Sequence, residues 1–155
     1  MSDISYLTPE GFEKIQNELA QLKGNERESI SKRLRSAIQM GDLSENADYI
    51  KAKEDQGFLE GRIKELEQIM KNVSIIDKNN IDTSKVSLGS TITVQEADYE
   101  PEKWFLVGPK EANPRMGKIS HESPIGKALR DKKVGEIVTA EIPTGKIVLK
   151  ILKIE

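Results

Sequence analysis

Apolar residues recur at alternating steps of three and four along the first half of the chain, and this spacing predicts helices that each carry one narrow apolar stripe. The first stripe comprises Phe12, Ile15, Leu19 and Leu22, and then, after an interruption at Glu26, Ile30, Leu34 and Ala37. The interruption is what an inserted four-residue step would produce, and Gly24 lies just before it. Thr8 is placed to cap this helix, with Pro9 at its first position.

A second stripe follows a short break in the helical pattern. It comprises Tyr49, Ala52, Leu59, Ile63, Leu66, Met70 and Val73, with Gln56 as the one polar member. Two stripes of similar length joined by a turn can cover each other as an antiparallel hairpin. Residues 1–76 are therefore predicted to form an all-α antiparallel coiled-coil hairpin. The alternative is a pair of helices in a compact bundle, but neither helix has the wide apolar face that a bundle requires.

The second half changes to a period of two. Four β-branched runs are predicted as strands: Thr91–Val94, Lys103–Val107, Ile137–Ile142 and Ile147–Ile151. Pro143-Thr144-Gly145 joins the last two, and Ser123 and Pro124 begin a short helix that ends near Arg130. We expect a polar linker over residues 77–85 and a small α+β domain over 86–155, with a mostly antiparallel sheet.

Composition narrows the class of protein. Of 155 residues, 32% are charged and 36% hydrophobic, which suits a long exposed helical element with little core. The net charge of −2 argues against strong nonspecific binding of nucleic acid by the whole surface. Cysteine is absent from the sequence, which excludes disulfides and thiolate zinc sites. With neither a signal peptide nor a long apolar run, a cytoplasmic protein without membrane association is expected.

The break between the helices is acidic. Residues 41–49 read Gly-Asp-Leu-Ser-Glu-Asn-Ala-Asp-Tyr, and they bring Asp42, Glu45 and Asp48 into one turn. Asp42 and Glu45 are three residues apart, so they share a face of a helical turn. Mg²⁺ prefers six oxygen ligands, and two carboxylates supply only part of such a shell. The equally weighted alternative is a solvated turn in which Asp42 or Ser44 caps the second helix.

Basic residues flank the acidic turn on both sides. They are Lys32, Arg33 and Arg35 before it and Lys51 and Lys53 after it. On an antiparallel hairpin these five cations would lie on neighbouring turns, where they could contact RNA phosphates or an acidic channel wall. Ordinary ion pairing on a solvated helix surface, with Glu28, Glu54 and Asp55, explains the pattern equally well.

The motifs together resemble a known family. The matching segments are Leu7-Thr8-Pro9-Glu10-Gly11, residues 41–49, Lys53-Glu54-Asp55-Gln56, Glu60-Gly61-Arg62-Ile63, Ile75-Ile76-Asp77, Val107-Gly108, Glu111-Ala112, Ile119-Ser120 and residues 123–129. In this order they are similar to the bacterial Gre family, of GreA type, the transcript-cleavage factors of RNA polymerase. Asn113, Asp131 and Glu136 depart from the pattern typical of the family, all in the second half.

The resemblance implies a coiled-coil hairpin followed by an FKBP-like domain. It implies that Glu122, Ser123 and Pro124 help the second domain dock on a coiled coil at the rim of the polymerase secondary channel. The hairpin would then enter the channel as a monomer and meet the 3′ end of backtracked RNA. Asp42 and Glu45 would share Mg²⁺ with the polymerase, which completes the site, while Ser44 assists. The chain would thus stimulate the polymerase's own cleavage and would not be an enzyme alone.

Three other interpretations compete. An inhibitor that occupies the same channel, of the anti-Gre type, is the main alternative, although such relatives carry a more heavily acidic turn. A prolyl isomerase would need an aromatic pocket, and the second half offers only Tyr99, Trp104 and Phe105. A purely structural adaptor would leave the acidic turn without a purpose. We expect Trp104 and Phe105 to be core residues, and His121, the single histidine, to be structural or surface-exposed.

Overall fold

The chain forms two compact units. A computed structural model describes residues 4–42 and 45–155. One unit is helical and comprises Glu13–Asn72, while the other contains the described residues up to Phe12 together with Val73–Glu155. The helical and sheet regions agree with the prediction at this level. The predicted hairpin, residues 1–76, differs at both ends, because its described residues up to Phe12 and residues 73–76 lie with the sheet unit.

The first half is helical on either side of one turn. The segments are α1 (Pro9–Gln21), a π-helical segment (Leu22–Glu26), α2 (Arg27–Gln39) and α3 (Ala47–Lys71). Thr8 caps α1 as predicted, because its Oγ1 accepts a hydrogen bond from the Gly11 amide at 3.1 Å. The π-helical segment lies where the stripe was predicted to be interrupted. Among the described residues, no helix combines the length and apolar character that crossing a membrane requires.

Apolar contacts and ion pairs join the helices of the first unit. Ile30, Leu59 and Ile63 form a buried cluster, and Leu19, Leu22 and Leu34 pack against it. Ion pairs along the helices join Lys23 to Glu67, Arg27 to Glu60 and Arg33 to Asp55. As the first partner advances along the chain the second recedes, so α2 and α3 run antiparallel. The stripe on α3 needs two corrections. Ile69 is buried near its end, where Met70 was predicted. Val73 lies beyond the helix, which ends at Lys71, and begins a strand.

The second unit is built on two sheets. A small parallel pair joins β1 (Ser5–Leu7) to β2 (Val73–Ile75). The larger sheet has five strands: β3 (Thr91–Glu96), β4 (Glu102–Val107), β5 (Lys118–Ser120), β6 (Ile137–Ile142) and β7 (Gly145–Ile154). Its order is β5-β4-β3-β7-β6, and only the β4–β5 pair is parallel. The prediction of a mostly antiparallel sheet is therefore confirmed.

Helix α4 (Pro124–Leu129) contributes Leu129 to a core that the larger sheet supplies with apolar side chains. Short 3₁₀ turns complete the unit at Lys78–Asn80, Pro109–Glu111 and Pro114–Met116. Trp104 packs against the core, as predicted, but Phe105 is 44% exposed. The prediction for Phe105 was wrong because adjacent residues of a strand face opposite sides of the sheet.

Candidate functional site

Asn46 holds both sides of the turn between α2 and α3. Its side-chain Oδ1 accepts a hydrogen bond from the backbone amide of Tyr49 at 3.0 Å, which caps the start of α3. Its Nδ2 donates to the carbonyl oxygen of Ala37 at 2.7 Å, in the last turn of α2. In the alternative interpretation of the sequence, a solvated turn, Asp42 or Ser44 caps this helix. The residue at the cap position of α3 is Asn46.

The acidic side chains of the turn face solvent. Asp42 and Glu45 are both exposed, and Asp48 is exposed in the first turn of α3. Ser44, the third residue of the predicted site, lies outside the described residues. Gly41 has φ of +122°, a backbone conformation that favours glycine and lets the chain leave α2 sharply. The turn therefore presents carboxylates on a backbone whose two ends are tied together by Asn46.

The donor chemistry of this turn suits a hard cation only in part. Asp42 and Glu45 offer carboxylate oxygens, the ligand type that Mg²⁺ prefers, yet its octahedral shell has six positions. Within residues 4–42 and 45–155, no three His, Cys, Asp or Glu side chains converge as a metal site would require. The residues present thus fit a shared site, in which further oxygen ligands come from another molecule.

Ion pairs occupy most of the basic residues near the turn. Arg33 Nη2 lies 2.9 Å from Asp55 Oδ2, and Lys51 Nζ lies 3.3 Å from the other oxygen of that carboxylate. Hydrogen bonding from Arg33, followed by that from Lys51, lowers the pKa of Asp55. Lys32 pairs with Glu28 at 3.4 Å. The predicted surface pairing is confirmed for Glu28 and Asp55.

Two of the five cations form no ion pair with a described carboxylate. Lys53 donates instead to the side-chain amide of Gln56 at 3.0 Å. Arg35 is exposed in the last turns of α2. Arg35 and Lys53 are therefore the two of these five cations whose charge no carboxylate of the described residues pairs with.

The segment predicted to dock on the polymerase surrounds the start of α4. Ser123 Oγ accepts from the Gly126 amide at 3.0 Å and donates to the Ser120 carbonyl at 2.7 Å. Pro124 takes the first helical position, and Glu122 is exposed beside it. The expectation that Ser123 and Pro124 begin this helix is confirmed. A side chain at Gly126 would collide with the Ser120 carbonyl, so glycine is required there.

His121 is a buried structural residue next to that segment. It is 8% exposed, and its ring meets Tyr6 edge-on with 5.7 Å between centroids. Its Nδ1 lies 3.3 Å from Nη1 of Arg130, while Nε2 has no hydrogen-bond partner among the described residues. This placement agrees with the structural alternative considered for a lone histidine.

Glu111 makes a contact that sequence reasoning missed. Thr8 donates both its amide and its hydroxyl to this carboxylate, at 2.7 and 2.6 Å. A methyl group at Gly11 would collide with the same carboxylate, so the glycine makes room for it. The signal in the sequence was the glycine in the first turn of a helix, where it lowers helix propensity. Its partner, 103 residues from Thr8, had no local signature.

Models of two protein families together match nearly the whole chain. The first, described as the N-terminal part of transcription elongation factors, matches residues 5–75. The second, described as the C-terminal part of transcription elongation factors GreA/GreB, matches residues 81–155.

Relatives over the full length bear the same description. The chain is 46% identical to transcription elongation factor GreA of Thermoanaerobacter pseudethanolicus over 155 residues, covering 99% of each chain. It is 44% identical to GreA of Acetivibrio thermocellus over 149 residues, covering 96% of this chain and 94% of the relative. A crystal structure of GreA factor homolog 1 from Thermus thermophilus aligns over 99% of both chains, at 26% identity. Its TM-score of 0.46 is too low to establish a shared arrangement.

Proposed function

The chain belongs to the GreA/GreB family of transcription elongation factors, and from this premise we propose that it rescues RNA polymerase by stimulating cleavage of backtracked transcripts. The chemistry of cleavage belongs to the polymerase, and this protein is an accessory without turnover of its own. The observation that carries the proposal is the exposed carboxylate pair, Asp42 and Glu45, on a turn that Asn46 braces.

The length of the helical unit lets the acidic turn extend into a channel of the polymerase. As an antiparallel coiled-coil hairpin it is narrow enough to enter the secondary channel of the polymerase. The 25 residues of α3 span about 37 Å at 1.5 Å per residue. The acidic turn lies at the end of this arm, so it can act at a catalytic centre far from the outer surface of the polymerase.

Asp42 and Glu45 would hold one Mg²⁺ together with ligands from the polymerase. When bound, this ion supplies stabilisation of charge on the phosphate and lowers the pKa of a coordinated water. Asp42 and Glu45 also orient water through their remaining oxygen lone pairs, because a carboxylate has about four acceptor positions. Ser44 is proposed to assist by hydrogen bonding. A ligand set that is incomplete in the free protein lets the factor leave the channel once the transcript is shortened.

The remaining predicted contacts divide between the two units. Arg35 and Lys53 would face RNA phosphates or the channel wall. The same role would fall to Lys32, Arg33 and Lys51 once they exchange their present ion pairs for these contacts. The second unit, proposed to be FKBP-like, would dock on the coiled coil at the channel rim through Glu122, Ser123 and Pro124. Glu122 and Pro124 are exposed there, and Ser123 fixes the helix start on which both are displayed.

Backtracked elongation complexes with 5′-labelled RNA test the proposal. We expect the wild-type chain to shorten the RNA in the presence of Mg²⁺. Asp42→Asn and Glu45→Gln should each slow this cleavage by about tenfold or more, the scale on which even indirect metal contacts lower activity. Glu13→Gln is the matched control, because this exposed carboxylate lies far along the chain from the turn. It should cleave like wild type.

Two results would overturn the proposal. The first is that the RNA keeps its full length with wild type while elongation slows, which is the behaviour of a channel-occupying inhibitor of the anti-Gre type. The second is that the Asp42 and Glu45 variants match the control. Melting curves for all variants distinguish loss of the carboxylate from loss of the fold.

A further inference from the structure

A groove of about 620 Å³ opens on the sheet unit, where β3 turns into β4. Its volume lies within the range typical of ligand sites in proteins. The lining residues are Val94, Glu96, Tyr99, Glu100, Pro101, Glu102, Trp104 and Leu149. We call it the acidic aromatic groove, because two aromatic rings and three carboxylates share it.

The strand register explains how carboxylates reach an apolar surface. Ile92 lies opposite Trp104, and Val94 lies opposite Glu102. Residues directly opposite each other on neighbouring strands face the same side of a sheet. Glu102 therefore emerges on the side that carries the buried core, at the end of the sheet. At this exposed position the core-facing side of the strand ends in a carboxylate.

The groove combines an apolar floor with an acidic rim. Val94 and Leu149 are 2% and 1% exposed, so they form the floor. Tyr99 is 70% exposed and stands open to a partner. Trp104 Nε1 donates to Glu102 Oε2 at 3.1 Å, which fixes the indole beside a carboxylate.

The charges of the groove are all of one sign. Glu96, Glu100 and Glu102 form no ion pair with any described residue, and no lysine or arginine of the described chain is among the lining residues. Three uncompensated carboxylates beside an aromatic ring create a negative potential that favours a cation. The complementary surface is therefore a basic one.

The groove is separate from the proposed docking segment. Glu102 begins β4 and Val107 ends it, and Val107 pairs with Ser120, just before Glu122. The groove and that segment thus lie at opposite ends of one strand, about 17 Å apart at a rise of about 3.3 Å per residue.

We propose that the acidic aromatic groove binds an arginine-bearing segment of a protein partner. An arginine stem packs on Val94 and Leu149, and its guanidinium stacks on Trp104 while donating to Glu96 and Glu102. Arginine suits this site better than lysine, because its planar group is weakly hydrated, stacks on aromatic faces and pairs with carboxylates in a fork. Nucleic acid is repelled by the same charges.

Trp104 is the only tryptophan of the chain, so its fluorescence reports directly on this groove. The full-length protein is titrated with the peptide acetyl-Ala-Arg-Ala-Arg-Ala-amide at low salt. The control peptide carries citrulline, the neutral isostere, in place of each arginine. We expect a saturable change of Trp104 emission with the arginine peptide, and affinity at least about tenfold weaker with the citrulline peptide.

Charge-neutral variants assign the binding to the rim. Glu96→Gln combined with Glu102→Gln should weaken binding of the arginine peptide by about threefold to tenfold, since each exposed ion pair contributes only modestly. Glu141→Gln, on the exposed face of the opposite sheet edge, should leave binding unchanged. Both substitutions lie on the surface, and melting curves verify the fold.

Three results would overturn the proposal. One is the absence of a saturable change with the arginine peptide. Another is that the citrulline peptide binds as tightly as the arginine peptide, or that the Glu96/Glu102 variant binds the arginine peptide as tightly as wild type does. Either result would show that the binding is nonspecific. The third is a change of emission with protein concentration alone, accompanied by dimers in sedimentation, which would make a second copy of this chain the occupant.

Discussion

The side-chain amide of Asn46 donates to the backbone carbonyl of Ala37 at 2.7 Å, and this bond links the start of α3 to the last turn of α2. Its other side-chain atom caps α3 through the Tyr49 amide. The carboxylates of the proposed site lie between the two anchored ends. The residue that links the two helix ends therefore carries no charge and binds no metal in the proposed mechanism.

Asn46→Asp separates the two bonds of this side chain. Aspartate keeps the cap acceptor but cannot donate to Ala37, so transcript cleavage should fall several-fold while unfolding in urea changes by less than about 1 kcal/mol. Asn46→Ala loses both bonds and should destabilise the helical unit by about 1–2 kcal/mol. Equal cleavage by Asn46→Asp and wild type would show that the Ala37 bond does not position the site.

Gly11→Ala should destabilise the sheet unit although alanine is the better helix former. The gain in helix propensity is about 1 kcal/mol, but the methyl group displaces the Glu111 carboxylate, which then loses both bonds to Thr8. We expect a net loss of about 1–3 kcal/mol in urea unfolding. In a Glu111→Ala background the same substitution should be neutral or stabilising. Additive effects in this double-mutant cycle would contradict the steric explanation.

Gly126→Ala should be among the most disruptive single methyl additions. Its Cβ would collide with the Ser120 carbonyl, a backbone atom that cannot turn aside, and α4 would have to shift away from β5. A drop in melting temperature together with weaker binding to polymerase is expected. Gly61→Ala is the control, because open space surrounds that position in α3. It should raise stability by about 1 kcal/mol.

Acid should weaken the helical unit through its interhelical ion pairs. Hydrogen bonding from Arg27 lowers the pKa of Glu60 below its ordinary value of 4.5, and Arg33 does the same for Asp55. A carboxylate with a lowered pKa in the folded state contributes stability above its unfolded pKa, and this contribution is lost as pH falls through the folded value. Melting temperatures should therefore fall below about pH 4.5.

Glu60→Gln should flatten that pH dependence. Because Glu60 is exposed on the helix surface, the effect should be small and should shrink further in high salt. Glu54→Gln provides the comparison, since Glu54 forms no ion pair with a described residue. Identical acid profiles for the two variants would show that the Arg27–Glu60 pair is not the source of the effect.

Local patterns in the sequence were sufficient to predict most of the helices and strands. Strand β6 has the predicted limits, Ile137–Ile142, because alternating β-branched residues end at a Pro-Thr turn. Ser123 and Thr8 cap their helices as expected, since each precedes a proline at the first helical position. The interruption of the apolar stripe near Gly24 also appeared in place.

Long-range and competing contacts were not predictable in the same way. The β1–β2 pair joins three-residue strands that are separated in the sequence by the whole helical unit, and neither strand has a pattern of its own. Several residues of the acidic turn are good cap formers, so sequence alone could not select Asn46 over Asp42. Phe105 has strong strand propensity but lies on the outer face, because propensity does not specify which face is buried.

The π-helical segment Leu22–Glu26 determines the directions in which the side chains of α2 point, because α2 follows it directly. A π-turn holds about one residue more than an α-turn, and one residue corresponds to about 100° of rotation about the helix axis. If the segment became ordinary helix with no change in length, Ile30 and Ala37 would rotate by about 100° about the helix axis and away from α3. Deleting Gly24 together with that change would leave their direction nearly unaltered. The arm can therefore lose one residue at this point without losing its apolar stripe, provided that the π-turn disappears with it.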